Sequence, residues 1–255
     1  MYKLNVMYRY ALTIEYDGSP FHGWQVQSNL STVQGVILNA IKKLDVNCEN
    51  FIGAGRTDAG VHAIGQVAHV DLETNRDCET VKKAINYYLN KYPISILDAK
   101  EVSIDFHARF SARRRHYTYK IFSRTTDLTF ERGQFWHVRH PLDISQMELA
   151  ATYLVGKHDF TTFRSSICQA SSPVKTIDTI SIQSEKIRDG IIYEFNFSAR
   201  SFLHNQIRSI VGCLEKVGRG KWRPQKMQEI LLNKDRSRCA ALAPPSGLYL
   251  KKVDY

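Results

Sequence analysis

The feature that most constrains this chain is the eleven-residue run Gly53-Ala54-Gly55-Arg56-Thr57-Asp58-Ala59-Gly60-Val61-His62-Ala63. Three glycines in so short a stretch permit positive φ and let another backbone or a ligand come close. The run therefore reads as a tight, shaped loop between two apolar segments, not as the interior of a helix or strand. Asp58 is its only carboxylate, and Arg56 lies two residues before it. Thr57-Asp58 ahead of Gly60 would serve equally as a turn or a helix cap. As a nucleotide-phosphate loop the run is poor, because neither Gly-x-x-x-x-Gly-Lys-Ser/Thr nor the third glycine of a dinucleotide fingerprint is present.

The segments around this loop alternate between the two regular periods. Tyr8, Tyr10, Leu12, Ile14 and Tyr16 recur every second residue, a half-buried strand ended by Asp17-Gly18. The aromatic loop Phe21-His22-Gly23-Trp24-Gln25 follows, with Trp24 open to a core-plugging role. Ser31 or Thr32 caps a helix whose apolar face is Val33, Ile37, Ala40, Ile41 and Leu44. After the glycine loop, Val67, His69 and Asp71 alternate with Ala68, Val70 and Leu72 as a strand. A second helix presents Val81, Ala84, Ile85, Tyr88 and Leu89, and residues 94–104 read as extended.

The stretch Phe106–Lys120, rich in Arg and His, separates two halves, expected at residues 1–106 and 107–255. No Pro/Gly linker marks it, so the halves are expected to share a sheet or an intimate interface. The second half opens with a strand at residues 118–122, then a helix near residues 145–155 using Met147, Ala150, Ala151 and Leu154. Residues 177–182 and 191–197 form a hairpin turned at Asp189-Gly190, with Tyr193, Phe195 and Phe197 on one face. Leu203, Ile207, Ile210, Val211, Leu214 and Val217 predict the longest helix, ending at Gly218. Pro224 opens another over Met227, Ile230 and Leu231, and Leu248-Tyr249-Leu250 closes the chain as a strand. Hairpins with interspersed helices predict an α+β fold with a mostly antiparallel sheet and helices on one face.

Charge indicates the kind of partner. Lys plus Arg number 35 against 25 Asp plus Glu, giving +10 with a pI near 9.4. That favours a polyanion, nucleic acid first and an anionic membrane surface second. No apolar run has the roughly 18 residues of a membrane span, and Met1–Tyr10 lacks a signal-peptide core. The five cysteines show no Cys-x-x-Cys, arguing against a disulfide framework or structural zinc and for a reducing, cytoplasmic setting. No His-x-x-x-His, His-Glu-x-x-His or Gly-x-Ser-x-Gly occurs, so zinc hydrolysis and serine hydrolysis are disfavoured.

Gly55-Arg56-Thr57-Asp58-Ala59-Gly60-Val61-His62-Ala63 resembles the signature of the tRNA pseudouridine synthase A family. Tyr16-Asp17-Gly18, Phe21-x-Gly23-Trp24-Gln25, Tyr117-Thr118-Tyr119 and Phe202-Leu203-His204-x-x-Ile207-Arg208 match in order, over nearly the whole chain. The resemblance implies the pseudouridine synthase fold, two similar α/β halves forming one extended sheet with a central basic cleft. It also implies isomerisation of uridine to pseudouridine in the anticodon stem-loop of tRNA, at positions 38, 39 and 40, by a homodimer without cofactor or metal. Asp58 would be the nucleophile, Arg208 its charge partner and Tyr117 the ring that stacks on the target base. By residue pattern alone, Arg208 could equally lie on a solvated helix face and Tyr117 in a strand core. Arg56, His62, Arg113, Arg114 and Arg115 are expected to bind substrate, with Arg109 and a second group, Lys216, Arg219, Lys221 and Arg223, as further basic candidates.

The residue types suit that chemistry. Breaking an N-glycosidic bond and rejoining the uracil through C5 involves no redox change and no external group. A carboxylate can form a covalent intermediate that divides the step, and a nearby guanidinium keeps it ionised against desolvation. A stacked tyrosine holds a base that has left its helix. The competing expectation is a non-catalytic tRNA-binding module or RNA chaperone, which basic charge and exposed aromatics would serve equally, but which would not need Asp58.

Overall fold

The computed structural model describes residues 6–255; part of the Met1–Tyr10 reading lies outside the described residues. Two compact units emerge. One holds the described residues up to Arg113 together with Leu250–Tyr255, and the other is Arg114–Tyr249.

In the first unit, strand β1 (Tyr8–Tyr16) leads to helix α1 (Val33–Leu44), then β2 (Glu49–Gly53), β3 (His62–Leu72), helix α2 (Cys78–Leu89) and β4 (Ile94–Val102). β1 lies between β3 and β4, antiparallel to both, and β2 pairs antiparallel with β3. The period-two expectation for β1 holds: Tyr10, Leu12, Ile14 and Tyr16 are buried while the intervening residues are partly exposed. Thr32 caps α1, its hydroxyl accepting from the Gly35 N–H, and Asp77 caps α2 through the Thr80 N–H. Val33, Ile37, Ala40 and Ile41 form the buried stripe of α1, and Val81, Ile85 and Leu89 that of α2. Tyr88, expected on the inner face of α2, is instead 42% exposed. It follows Tyr87 and lies just off the stripe, and its ring meets that of Tyr87 edge-on, centroids 5.2 Å apart.

Strand β3 departs from simple alternation, because its polar face is buried too. Asp71 receives a two-pronged bond from Arg9, at 2.6 and 2.7 Å, and a third from Asn50 Nδ2. Burial pushes the Asp71 carboxyl up, but the Arg9 and Asn50 bonds and the Arg9 charge together hold it below the usual carboxylate range. His69 Nδ1 accepts the Ala108 N–H, and the His69 ring lies 4.8 Å from that of His107. Burial first, then the Arg9 and His107 charges, lower His69 to about 4. The segment after β4 thus roofs the polar side of β3.

In the second unit, strand β5 (Arg114–Ser123) is followed by β6 (Trp136–Val138), helix α3 (Ile144–Thr152), β7 (Gly156–Asp159), β8 (Val174–Ile187), β9 (Gly190–Ala199), helix α4 (Gln206–Gly218), helix α5 (Lys226–Asn233) and β10 (Leu248–Asp254), whose last residues belong to the first unit. The order β5-β9-β8-β7 is antiparallel throughout, with β6 parallel on β5. The hairpin β8–β9 turns at Arg188-Asp189, with Arg188 at φ 51°. A register shift between Ile177 and Thr179 explains why Ile177 and Ile182, five residues apart, are both buried. Tyr193, Phe195 and Phe197 share the buried face of β9, and Met147, Ala150, Ala151 and Leu154 are buried around α3. The chain is mixed α+β, with antiparallel pairing dominant.

Helix α4 starts later than its apolar periodicity suggests. Leu203 is buried but precedes the helix, because Asn205 at φ 64° is left-handed and breaks the run. Gly212 is required by a close approach: a Cβ there would lie 2.2 Å from the Ala241 carbonyl oxygen. Among the described residues, no helix is long and apolar enough to cross a membrane.

Candidate active site

The glycine loop joins β2 to β3, so both of its ends are anchored in antiparallel pairing. Its backbone is then fixed from three directions. Ala54 N–H donates to the Val67 carbonyl at 2.7 Å, and the fully buried Gln66 donates through Nε2 to the Gly55 carbonyl at 2.7 Å. Trp24 N–H donates to the Thr57 carbonyl at 3.0 Å, while the Thr57 hydroxyl meets the Tyr16 hydroxyl at 2.8 Å. Val61 N–H returns to the Asp58 carbonyl at 3.1 Å, closing a turn in which Gly60 takes φ +75°. Asp58 is thereby placed at the apex, partly exposed, next to an exposed Arg56.

The aromatic loop after β1 is the other half of this scaffold. Gly23 has φ +87°, and a Cβ there would meet the Thr57 carbonyl oxygen at 2.7 Å and the Ala59 nitrogen at 3.2 Å. Trp24 is 1% exposed, and its indole covers Gly53 so closely that a Cβ would approach the ring at 2.7 Å. Tyr16 and Phe51 flank it with centroids 6.0 and 6.1 Å away. Two motifs separated by about thirty residues are therefore one physical object. The core-plugging role open to Trp24 is the one observed, and what it plugs is the underside of the Asp58 loop.

His62 lies inside this scaffold, 2% exposed. Its Nδ1 is 3.0 Å from the Gly18 nitrogen and 3.1 Å from Asp17 Oδ1. The Gly18 N–H can only donate, so the neutral ring with Nδ1 as acceptor is the form that bond selects; the protonated ring would turn instead to the half-exposed Asp17. Either way His62 ties the end of β1 to the start of β3.

In the second unit, Tyr117 pairs across β5 with Phe197, and its ring meets Phe202 edge-on at 5.3 Å. Tyr119, two residues on, is fully buried and donates its hydroxyl to the Pro244 carbonyl. Burial lifts its phenol well above the usual range. The two tyrosines of the Tyr-x-Tyr motif thus differ: Tyr119 is structural, Tyr117 partly exposed. Arg208 sits in the first turn of α4. Its Nε donates to the Ala243 carbonyl at 2.8 Å and its Nη1 to Asn205 Oδ1 at 3.1 Å. The Ala243 N–H in turn reaches the Arg208 carbonyl at 3.3 Å. Arg208 is thus half-buried, its guanidinium held by two acceptors and not spread on a solvated helix face.

The arginine run does not act as one surface. Successive residues of a strand point to opposite faces. Arg113 is exposed, its backbone N–H bonded to the Asp254 carbonyl. Arg114 is exposed and paired with Asp178 at 2.9 Å. Arg115 is buried, its Nη1 donating to the Arg200 carbonyl at 2.6 Å. In the second basic group, Lys216 meets the buried Glu215 at 3.4 Å and Arg223 meets Glu229 at 2.5 Å, while Arg219 and Lys221 are exposed. The residues that local reading missed are the anchors, Gln66, Asn205 and Ala243; nothing in their own sequence surroundings distinguishes them.

Comparison with known proteins gives consistent matches. The sequence fits a family model described as tRNA pseudouridine synthase over residues 12–111 and 150–255. It is 53% identical over 249 residues to a protein from Parvibaculum lavamentivorans named tRNA pseudouridine synthase A, covering 98% of this chain and 100% of that one. A protein of the same name from Cereibacter sphaeroides is 49% identical over 249 residues, with 98% and 97% covered. A crystal structure of a Cbf5-Nop10-Gar1 complex aligns with 81% of this chain and 45% of that chain, at 14% identity and a TM-score of 0.36.

Proposed function

We infer that Asp58, Arg208 and Tyr117 carry the chemistry of this chain, because the chain belongs to the tRNA pseudouridine synthase family, whose members isomerise uridine to pseudouridine in tRNA. The enzyme is an isomerase: the glycosidic bond at N1 of uracil is broken, the base turns, and a bond to C5 replaces it. Asp58 is the nucleophile that forms the covalent intermediate. Arg208 is the charge partner of that carboxylate, as its place in the family's helix motif implies. Tyr117 stacks on the extruded uracil.

The observation that supports this reading is the pinned apex at Asp58. A carboxylate held by a backbone that cannot relax costs little reorganisation when it attacks. A loop meant only to turn the chain would not need Gly23, Trp24, Tyr16 and Gln66 all fastened to it. Arg56, Arg113 and Arg114 are assigned to phosphates, as exposed cations on a chain of net charge +10. Arg115 is assigned to anchoring its strand, and His62 to positioning the loop.

The substrate site is the anticodon stem-loop, at positions 38, 39 and 40, read by a homodimer in the cytoplasm, the setting that suits five cysteines without a disulfide framework. The experiment is sequencing for pseudouridine in unmodified tRNA transcripts incubated with the purified protein alone. Pseudouridine in the anticodon arm is the expected result. Unchanged uridine throughout, with tRNA still bound, would favour a non-catalytic RNA-binding module.

A further inference from the structure

Two of the five cysteines, far apart in sequence, meet in the second unit. Cys213 in α4 is fully buried, and its Sγ lies 3.4 Å from Sγ of Cys239, which is partly exposed. Both thiols are held from behind. Cys213 Sγ accepts the Ala240 N–H at 3.4 Å, and Cys239 Sγ lies 3.7 Å from the Ser209 carbonyl. Arg236 is fixed beside them, with Nη1 donating to Ser209 Oγ at 2.9 Å and to the Thr162 carbonyl at 3.3 Å. The Cys213 thiol donating to it, with the Arg236 charge added, lowers the Cys239 thiol, whereas the same contact together with burial raises Cys213. Cys239 is thus the partly exposed member, with a thiol that gives up its proton more readily, and Cys213 is sheltered within reach.

We propose that Cys239 and Cys213 form a reversible dithiol–disulfide pair, a modification site that couples oxidation to the position of Arg208. The oxidant is a peroxide. The Cys239 thiolate attacks one peroxide oxygen, breaks the O–O bond and releases hydroxide, leaving a sulfenic acid. Cys213 sulfur then attacks Cys239 sulfur; the S–O bond breaks and the departing oxygen takes the Cys213 proton to leave as water. Two electrons pass from the two thiols to the peroxide, and an external thiol reverses the change.

The coupling follows from where the sulfurs sit. A disulfide needs them about 2.05 Å apart, so the sulfurs must approach by more than about 1 Å, a movement shared between side-chain rotation and the segment carrying Cys239. Four residues on, Ala243 holds Arg208 by a bond in each direction. Between them, the Ala241 carbonyl lies against Gly212, where a Cβ would have only 2.2 Å. That contact has no slack, so closure at Cys239 is passed along the segment to Ala243. A displacement near 1 Å can cost about a hundred-fold in rate; an expected loss of roughly ten-fold allows for partial relaxation. The coupling, though not the disulfide itself, rests on Arg208 acting in catalysis as proposed above.

The test is to treat the intact enzyme with hydrogen peroxide, block free thiols by alkylation, and identify linked peptides by mass spectrometry beside tRNA isomerisation and tRNA affinity. The expected result is a Cys213–Cys239 peptide, a roughly ten-fold loss of isomerisation with affinity little changed, and full return of activity with dithiothreitol. Cys239→Ser should match the wild type when reduced and keep its activity in peroxide. Cys213→Ala serves as the second variant, giving a Cys239 sulfenic acid that a dimedone probe captures. Absence of the linked peptide would overturn the pair. A linked peptide with undiminished isomerisation would overturn the coupling while leaving the pair intact. Unchanged activity of Arg208→Lys would identify the role of Arg208, not the disulfide, as the error.

Discussion

The Asp58 loop and the Arg208 turn are built in opposite ways. The loop is fixed through its backbone: Gly23 and Gly60 adopt positive φ, Gly53 lies against an indole, the Ala54 N–H donates to the Val67 carbonyl, and the Thr57 and Gly55 carbonyls accept from Trp24 and Gln66. Arg208 reverses this. Its backbone is ordinary helix, and its side chain is what is anchored, to Ala243 and Asn205. The difference teaches where stability and activity should separate. Damage under the loop should remove both together; damage to the Arg208 side chain should remove activity and leave the fold.

The largest expected effect is Trp24→Ala. Deleting a buried aromatic of this size costs about 3–5 kcal/mol, and here the vacated volume lies beneath Gly53. Denaturant unfolding should show that loss, with isomerisation falling in parallel. A stable protein lacking activity would mean that Trp24 acts on substrate and not on the loop. Next is Arg208→Lys, which keeps the charge but loses the planar fork. Activity should fall by about ten-fold or more, while the unfolding midpoint shifts little. A large stability loss instead would erase the contrast between the two regions.

Acid sensitivity sharpens the comparison by locating a third element, the roof over β3. His69 is lowered in the folded state to about 4, so acid favours the unfolded chain, which binds the proton first. That loss should begin near the usual histidine value of about 6.5 and be complete near 4. Asp71, also lowered when folded, contributes stability above the usual carboxylate value of about 4 that disappears as pH falls further. Urea titrations from pH 7 to 4 should show the first phase. His69→Gln, which retains an acceptor for Ala108, should flatten it. The smallest effect is expected from Arg113→Ser with Arg114→Ser. Fold and turnover should persist, and the slope of log affinity against log salt should decrease by about one per lost phosphate contact. An unchanged slope would place these two arginines off the RNA path.

Much of this architecture is legible in the sequence because it rests on local rules. Period two gave β1, the 3.6 period gave α1 and α3, and Asp189-Gly190 marked the β8–β9 turn. The loop was legible because glycine is a backbone instruction that can be read one residue at a time. What escaped reading is non-local. No pattern around Leu203 indicates that Asn205 will turn left-handed and delay α4, nor does anything around Ala243 mark it as the rest for Arg208. His69 and Asp71 look like the wet side of a strand until the Phe106–Phe110 segment and Arg9 cover them. Likewise, three consecutive arginines suggest a single patch, yet a strand sends neighbours to opposite faces, and Arg115 is spent on the Arg200 carbonyl.

The central claim is that the pinned loop exists to present one carboxylate. Asp58→Asn tests it most directly, since the amide keeps size and most hydrogen bonding but cannot serve as the nucleophile. The variant should remain folded and bind tRNA with near wild-type affinity. Pseudouridine formation, measured by site-specific sequencing of the tRNA at a temperature where both proteins are folded, should be absent. A folded Asp58→Asn protein that forms pseudouridine at near wild-type rate would contradict the account.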